Sequence, residues 1–238
     1  MGMKKVRAVL FDAYGTLFDV YSIALLAEQQ FPGRGQRIAQ LWRDKQIEYT
    51  RLVTTSNHGA HYRPFWELTQ AALRYTIKTI EPRARTEWET GGFEAKHRAL
   101  MGEYRHLSGF PETRAVLAEL RERGLKTGIL SNGDPDMLGI SVRSAGLDSL
   151  LDHVISVEHV RLFKTAPQAY AQGPAATGIP ASETLFVSSN SWDALAATWY
   201  GYQTLWVNRQ NAPFDELDTA PTHIGHSLRD VLTHLDAG

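Results

Sequence analysis

The chain of 238 residues contains no cysteine. That excludes disulfides, thiolate-ligated zinc, iron–sulfur clusters and thiol nucleophiles, and it suits a reducing compartment. Charge of either sign is also scarce in excess: 25 Lys and Arg stand against 26 Asp and Glu, for a formal net charge of −1. Such a balance creates no bulk field for nucleic acid or an anionic membrane surface, and a small neutral or anionic substrate fits better. No apolar run approaches the ~20 residues of a membrane span. The opening residues, 1–5, lead within a few residues into a strand, and the chain is expected to be soluble and cytoplasmic. Neither internal repeats nor low-complexity tracts are present.

Short apolar runs recur at Val6 to Phe11, Leu125 to Leu130, His153 to Val157, Thr184 to Val187 and Gln203 to Val207, separated by helix-length segments with Gly or Pro punctuation. Repeated β-α alternation predicts an α/β fold, a Rossmann-like parallel sheet covered on both faces. Ligand sites of such sheets lie on the loops after the strands. Between Phe18 and about Arg98 the texture changes: Arg37 to Arg51 and Phe65 to Ile80 carry apolar residues at helical spacing, which predicts an inserted helical cap domain. The expected division is a core of residues 1–17 and 99–238 around a cap of residues 18–98. Phe31 to Gly35 and Ser56 to Gly59 read as turns, and Gly91-Gly92 as an interruption of the last cap helix. The stretch Asn208 to Thr222 reads as a loop before a final helix at Ser227 to Leu235.

The most informative segment is the first strand, which runs through Phe11 into Asp12, Ala13 and Tyr14 and then turns at Gly15 and Thr16. It delivers one carboxylate to the open end of the sheet, the place of a nucleophile, although an aspartate there can also cap the next turn. The second strand ends in Ser131-Asn132-Gly133-Asp134-Pro135, where backbone N–H groups before a new helix converge on anions or the Ser and Asn simply cap it. Lys164 follows the third strand; most lysines are solvated surface charges. The fourth strand ends in Ser188, Ser189, Asn190, Ser191, Trp192 and Asp193, with Asp193 placed either for chemistry or as an acid favoured by the helix dipole.

The pattern Asp-x-x-Gly-Thr-Leu on a first strand resembles the haloacid dehalogenase superfamily, which uses that first Asp as a covalent nucleophile. Most of its members are phosphatases, with a second Asp two residues later acting on the leaving oxygen. Here that position is Tyr14, whose phenol, with an ordinary pKa near ~10, is a poor acid at neutral pH. A halide leaving group requires no proton. Phosphatases also supply paired acids after the fourth strand for Mg²⁺, where this chain offers Ser188, Ser189 and Asn190 with one acid, Asp193.

With Leu41-Trp42-Arg43-Asp44-Lys45-Gln46, Phe-Pro-Gly-Arg-Gly, Leu-Ser-Asn-Gly and Phe-Val-Ser-Ser-Asn-Ser-Trp-Asp, nearly the whole chain closely resembles the (S)-2-haloacid dehalogenases. The resemblance implies Asp12 as nucleophile, Arg43 and Asn132 facing the halogen, and the amides at Ser131 and Asn132 holding the substrate carboxylate. It implies that Lys164 keeps Asp12 ionised, and that Asp193 steers the water, with Asn190 helping. Thr16, Ser131, Tyr170 and Ser188 complete the implied catalytic set, and Ala13, Tyr14, Phe65 and Trp192 the implied substrate pocket. Neither metal nor cofactor is implied; a small 2-haloacid, water and halide are the expected ligands, and a homodimer the expected assembly. A Mg-dependent phosphatase and a non-catalytic homologue are the other readings of this scaffold. Two departures from the pattern stand out: Lys164 is followed by Thr165 where many relatives have Pro, and Gly173-Pro174 is expected to break the helix carrying Tyr170.

Overall fold

The computed structural model describes residues 4–236; the outermost ends of the expected core domain, 1–3 and 237–238, lie outside the described residues. Contacts divide the chain into two units, Met1–Asp19 with Ser108–Gly238, and Val20–Leu107. The expected second boundary at residue 98 falls inside a helix, Phe93–Arg105, which belongs entirely to the insert.

In the first unit a parallel sheet is built from β1 (Ala8–Phe11), β2 (Lys126–Ser131), β3 (His153–Ser156), β4 (Thr184–Ser188), β5 (Gln203–Val207) and β6 (His223–Gly225). The strands lie in the order β3-β2-β1-β4-β5-β6, and every pairing is parallel. All four residues of β1 are fully buried. Apolar residues on both faces, rather than in alternation, are what a strand sandwiched between helical layers requires. The edges differ: β3 is half exposed, with Val154 44% accessible, and Ile224 of β6 is 57% accessible. Strand β6 falls near the expected C-terminal loop and is not visible in the sequence pattern, because its three residues include one apolar side chain and that one faces outward.

The insert holds α1 (Ile23–Gln30), α2 (Gly35–Thr55), α3 (Phe65–Ile80) and α4 (Phe93–Arg105). Helix α3 has the expected bounds, and α2 extends the expected Arg37–Arg51 at both ends. The Gly91-Gly92 pair precedes α4 instead of interrupting it: Gly92 adopts φ +72° at the helix entrance. Within this unit Trp42 donates its indole N–H to the Thr69 carbonyl at 2.9 Å, and Gln46 donates to Thr69 Oγ1 at 2.6 Å, fastening α2 to α3.

In the core, α5 (Thr113–Glu122), α6 (Pro135–Ser144), α7 (Pro167–Thr177), α8 (Ser191–Tyr200) and α9 (Asp230–Asp236) cover the sheet. The break expected at Gly173-Pro174 does not occur; α7 runs through both residues. A single proline removes one hydrogen bond, and burial of the helix against the sheet can hold the rest of it.

Three histidines lose solvation on folding. His97 of α4 is buried with Nε2 3.1 Å from the Gln70 carbonyl, and burial lowers its pKa. His223 and His234 stack with ring centroids 3.5 Å apart, and burial lowers both. The unfolded chain therefore binds protons at higher pH than the fold does, so stability present above the ordinary histidine value of 6.5 is lost as pH falls through it. Thermal melts should show a midpoint that drops between pH 7.5 and 5.5, and His97→Gln should flatten that drop; a midpoint constant over the interval would refute the assignment.

Candidate active site

The core side chains singled out above stem from carboxyl ends of strands, the loops beyond them, or the helices that follow, Tyr170 in α7 and Trp192 and Asp193 in α8. Asp12 follows β1 directly, and its N–H donates to the Val187 carbonyl of β4 at 2.9 Å, which locks the nucleophile position to the neighbouring strand. The chain then turns tightly: the N–H groups of Leu17 and Phe18 both donate to the Ala13 carbonyl, at 2.9 and 3.0 Å. Gly15 takes φ +92° in this turn, a conformation that a side chain would strain. The turn places the Thr16 hydroxyl against Asp12. It donates to Asp12 Oδ2 at 3.1 Å and accepts the Ser189 N–H at 2.8 Å, so one fully buried hydroxyl joins the β1 and β4 loops.

Lys164 is 1% exposed, not a surface charge. Its ammonium donates to Asp12 Oδ1 at 3.2 Å and to Asp193 Oδ2 at 2.9 Å, and lies 4.7 Å from the centroid of the Phe186 ring. Asp193 is fully buried and accepts three side-chain donors: Lys164, the Tyr170 hydroxyl at 2.7 Å and the Ser188 hydroxyl at 3.0 Å. As the third residue of α8 it also sits in the first turn, where the helix dipole favours its charge. Asn190 closes the ring of contacts, donating Nδ2–H to Asp12 Oδ2 at 2.9 Å while its own N–H donates to Ser188 Oγ at 3.1 Å.

Burial pushes the Asp193 carboxyl up, as does the neighbouring charge of Asp12, while the Lys164 ammonium pulls it down. The Tyr170 phenol is pushed well above its ordinary range, first by burial and then by Asp193, so it remains a donor.

On the β2 loop the side chains serve the turn as well as facing the site. Ser131 Oγ accepts the Gly133 N–H at 3.1 Å, and Asn132 Oδ1 accepts the Lys164 N–H at 2.9 Å. The second bond fixes which way the Asn132 amide points. Ser156 donates to the Gly133 carbonyl at 2.7 Å, tying the β3 end to the same loop. Ser156 and Phe186 were not legible as site residues; strand ends rich in apolar residues give no sign of which side chain faces the loops. Tyr14 is buried beside Phe18, with ring centroids 6.1 Å apart, and Trp192 is half-buried on α8. Arg43 and Phe65 belong to the other unit. There Arg43 is half-buried on α2 and donates to Gln46 Oε1 at 3.3 Å beside a small recess lined by Trp42 and Tyr104, and Phe65 is buried at the start of α3.

Residues 6–201 match the model of the haloacid dehalogenase-like hydrolases. The haloacetate dehalogenase H-2 of Moraxella sp. (strain B) is 40% identical, covering 99% of this chain and 100% of that protein. Among solved structures, the L-2-haloacid dehalogenase RSc1362 superposes with a TM-score of 0.90 at 51% identity, covering 98% of this chain and 100% of the other. The L-2-haloacid dehalogenase of Xanthobacter autotrophicus with chloropropionic acid covalently bound gives 0.83 at 35% identity, covering 98% and 99%. The chain belongs to the haloacid dehalogenase-like hydrolases, on the branch of the L-2-, that is (S)-2-, haloacid dehalogenases.

Removing the ammonium would leave two buried carboxylates facing each other without a counter-charge. Lys164→Met should lower the unfolding free energy by about 3–5 kcal/mol in urea titrations, and adding Asp193→Asn should recover part of the loss. A loss below about 1 kcal/mol would show that the bridge matters little to the fold.

Proposed function

We propose that the chain hydrolyses short (S)-2-haloalkanoic acids, such as haloacetates and 2-halopropionates, to (R)-2-hydroxy acids and halide through an ester on Asp12, without a metal ion. The observation that carries this reading is the Asp12 carboxylate itself. It is nearly buried, and Lys164, Asn190 and Thr16 all donate to it, so it is held in one orientation with its oxygens placed to attack carbon.

In the first step an Asp12 oxygen forms a bond to C2 of the substrate while the carbon–halogen bond breaks and the halide leaves with the electron pair. Amides at Ser131 and Asn132 hold the substrate carboxylate, and Arg43 with the Asn132 amide stabilises the charge gathering on the halogen. Ala13, Tyr14, Phe65 and Trp192 supply the pocket around the substrate. Holding the reacting atoms near ~3–3.5 Å lets positioning provide much of the acceleration. In the second step water attacks the carbonyl carbon of the ester, giving up one proton to Asp193; the bond from that carbon to the substrate oxygen breaks, that oxygen takes the other proton of the former water, and the 2-hydroxy acid leaves with Asp12 restored as a carboxylate and Asp193 releasing its proton to solvent. Configuration at C2 inverts once, because only the first step touches that carbon.

The phosphatase alternative requires Mg²⁺ held by hard oxygens beside Asp12. The residues present do not fit that ion. Asn190 Nδ2 lies 2.9 Å from Asp12 Oδ2 and 3.5 Å from the Tyr14 carbonyl, a donor between two oxygens that a cation would use as acceptors. The oxygens of Asp193 are engaged by Lys164, Ser188 and Tyr170. The proposal includes a homodimer in the cytoplasm, on the family resemblance; among the described residues no helix is long and apolar enough to cross a membrane.

Halide release from (S)-2-chloropropionate should proceed unchanged in EDTA, with the (R) enantiomer untouched, and Asp12→Asn should reduce turnover by at least about 10⁴-fold, as loss of a covalent nucleophile does. Turnover confined to a phosphate ester with Mg²⁺ would overturn the reading. Asp193 must be ionised to accept the proton, and its carboxyl lies above the ordinary aspartate value of 3.8. Activity should therefore rise with pH along an acid limb above that value. Tyr170→Phe, which deletes a hydrogen bond favouring the ionised form, should carry the limb to higher pH; a limb that stays in place or moves down would refute this role of Tyr170.

A further inference from the structure

Tyr170 stands within α7, and Pro174 follows four residues later in the same helix. A proline has no N–H, so the Tyr170 carbonyl is denied the helical hydrogen bond that residue 174 would otherwise give it. Tyr170 is 1% exposed, and a buried carbonyl needs a donor from somewhere. One comes from outside the helix: the Tyr202 hydroxyl, just ahead of β5, donates to the Tyr170 carbonyl at 2.7 Å.

Gly173 makes that approach possible. A Cβ at this position would run into the Tyr202 hydroxyl and come within 2.7 Å of Leu10 Cδ1. The Tyr202 ring is itself buried, 5.6 Å from the Phe186 ring and 6.4 Å from that of Tyr170, and burial raises its phenol well above the ordinary value, so the hydroxyl keeps its proton. At the other end of Tyr170 the side-chain hydroxyl donates to Asp193 Oδ1 at 2.7 Å. The order is thus Tyr202 hydroxyl to Tyr170 carbonyl, and Tyr170 hydroxyl to the carboxylate proposed to take the proton of the attacking water.

We propose that Tyr202 is a positioning residue for ester hydrolysis: it replaces the hydrogen bond that Pro174 removes and so holds Tyr170 where its hydroxyl meets Asp193. Gly173, Pro174 and Tyr202 form one device, in which the proline frees an acceptor, the glycine clears a path and the tyrosine fills the vacancy. The inference rests on the dehalogenase reading, and specifically on its second step.

Single-turnover reactions with (S)-2-chloropropionate, quenched and followed by the mass of the peptide bearing Asp12, separate ester formation from ester hydrolysis. Tyr202→Phe should form the ester at the rate of the unaltered protein but hydrolyse it about five- to tenfold more slowly, the scale of one lost hydrogen bond. Ester should accumulate, and the acid limb of the hydrolysis step should move to higher pH. Tyr202→Phe combined with Pro174→Ala gives residue 174 an N–H again and should recover most of the hydrolysis rate. A merely structural role for Tyr202 would slow both steps alike and would not be rescued. The inference is overturned if Tyr202→Phe clears its ester at the unaltered rate, or if the double variant stays as slow as the single one. An unaltered protein that forms no ester from any 2-haloacid refutes the dehalogenase reading first, and this inference with it.

Discussion

One ammonium holds the centre of this structure. Lys164 reaches in from beyond β3 and bonds to two carboxylates, Asp12 after β1 and Asp193 at the start of α8, each almost wholly withdrawn from water. Two like charges brought that close in a poorly solvated space would repel, and one would take up a proton. The lysine removes the conflict and is itself tolerable in that place only because the carboxylates are there. The loops after β1 and β4 and the segment beyond β3 meet at one end of the sheet, where Thr16, Asn190, Ser188 and Tyr170 also donate to the two carboxylates.

Much of this arrangement could be read in the chain before any coordinates. Asp12 stands at the end of an apolar run and before a Gly-Thr turn, and both features have direct structural causes: full burial of β1 and the positive φ of Gly15. Lys164 and Asp193 were legible only through the order of motifs, since neither residue type in isolation points inward. What stayed hidden is instructive. Strand β6 has too few residues to leave a pattern, and its existence depends on pairing with β5. α7 runs through Pro174 with the Tyr170 carbonyl taken up by Tyr202, remote in sequence, so local rules about proline favoured the wrong outcome. The double duty of Thr16, donor to Asp12 and acceptor from Ser189, belongs to the same category: a hydroxyl in a turn announces a hydrogen bond without naming its partners.

On the proposed reading, a shared scaffold changes chemistry by exchanging acceptors for donors. Where a magnesium-using relative would set carboxylates and carbonyls around a cation, Asn190 sends an amide N–H toward Asp12 and the Tyr14 carbonyl. On the proposed reading the nucleophile is kept and its surroundings stabilise a lone anion instead of a metal–phosphate pair. Tyr14, two residues beyond Asp12, is a buried aromatic side chain. Such changes leave the strands untouched, which is why fold alone never settles the reaction.

The two margins of the sheet carry a different implication. β3 and β6 are the outer strands of the sheet, and Val154 and Ile224 are about half exposed there. Long edges of that kind recruit strands from other molecules, and proteins commonly blunt them by brevity. With four and three residues these borders offer a visiting strand very few rungs. Lengthening either by insertion, or pairing them with a fused β-rich tag, would trade that protection for aggregation, so the helical surfaces are the safer place to engineer this molecule.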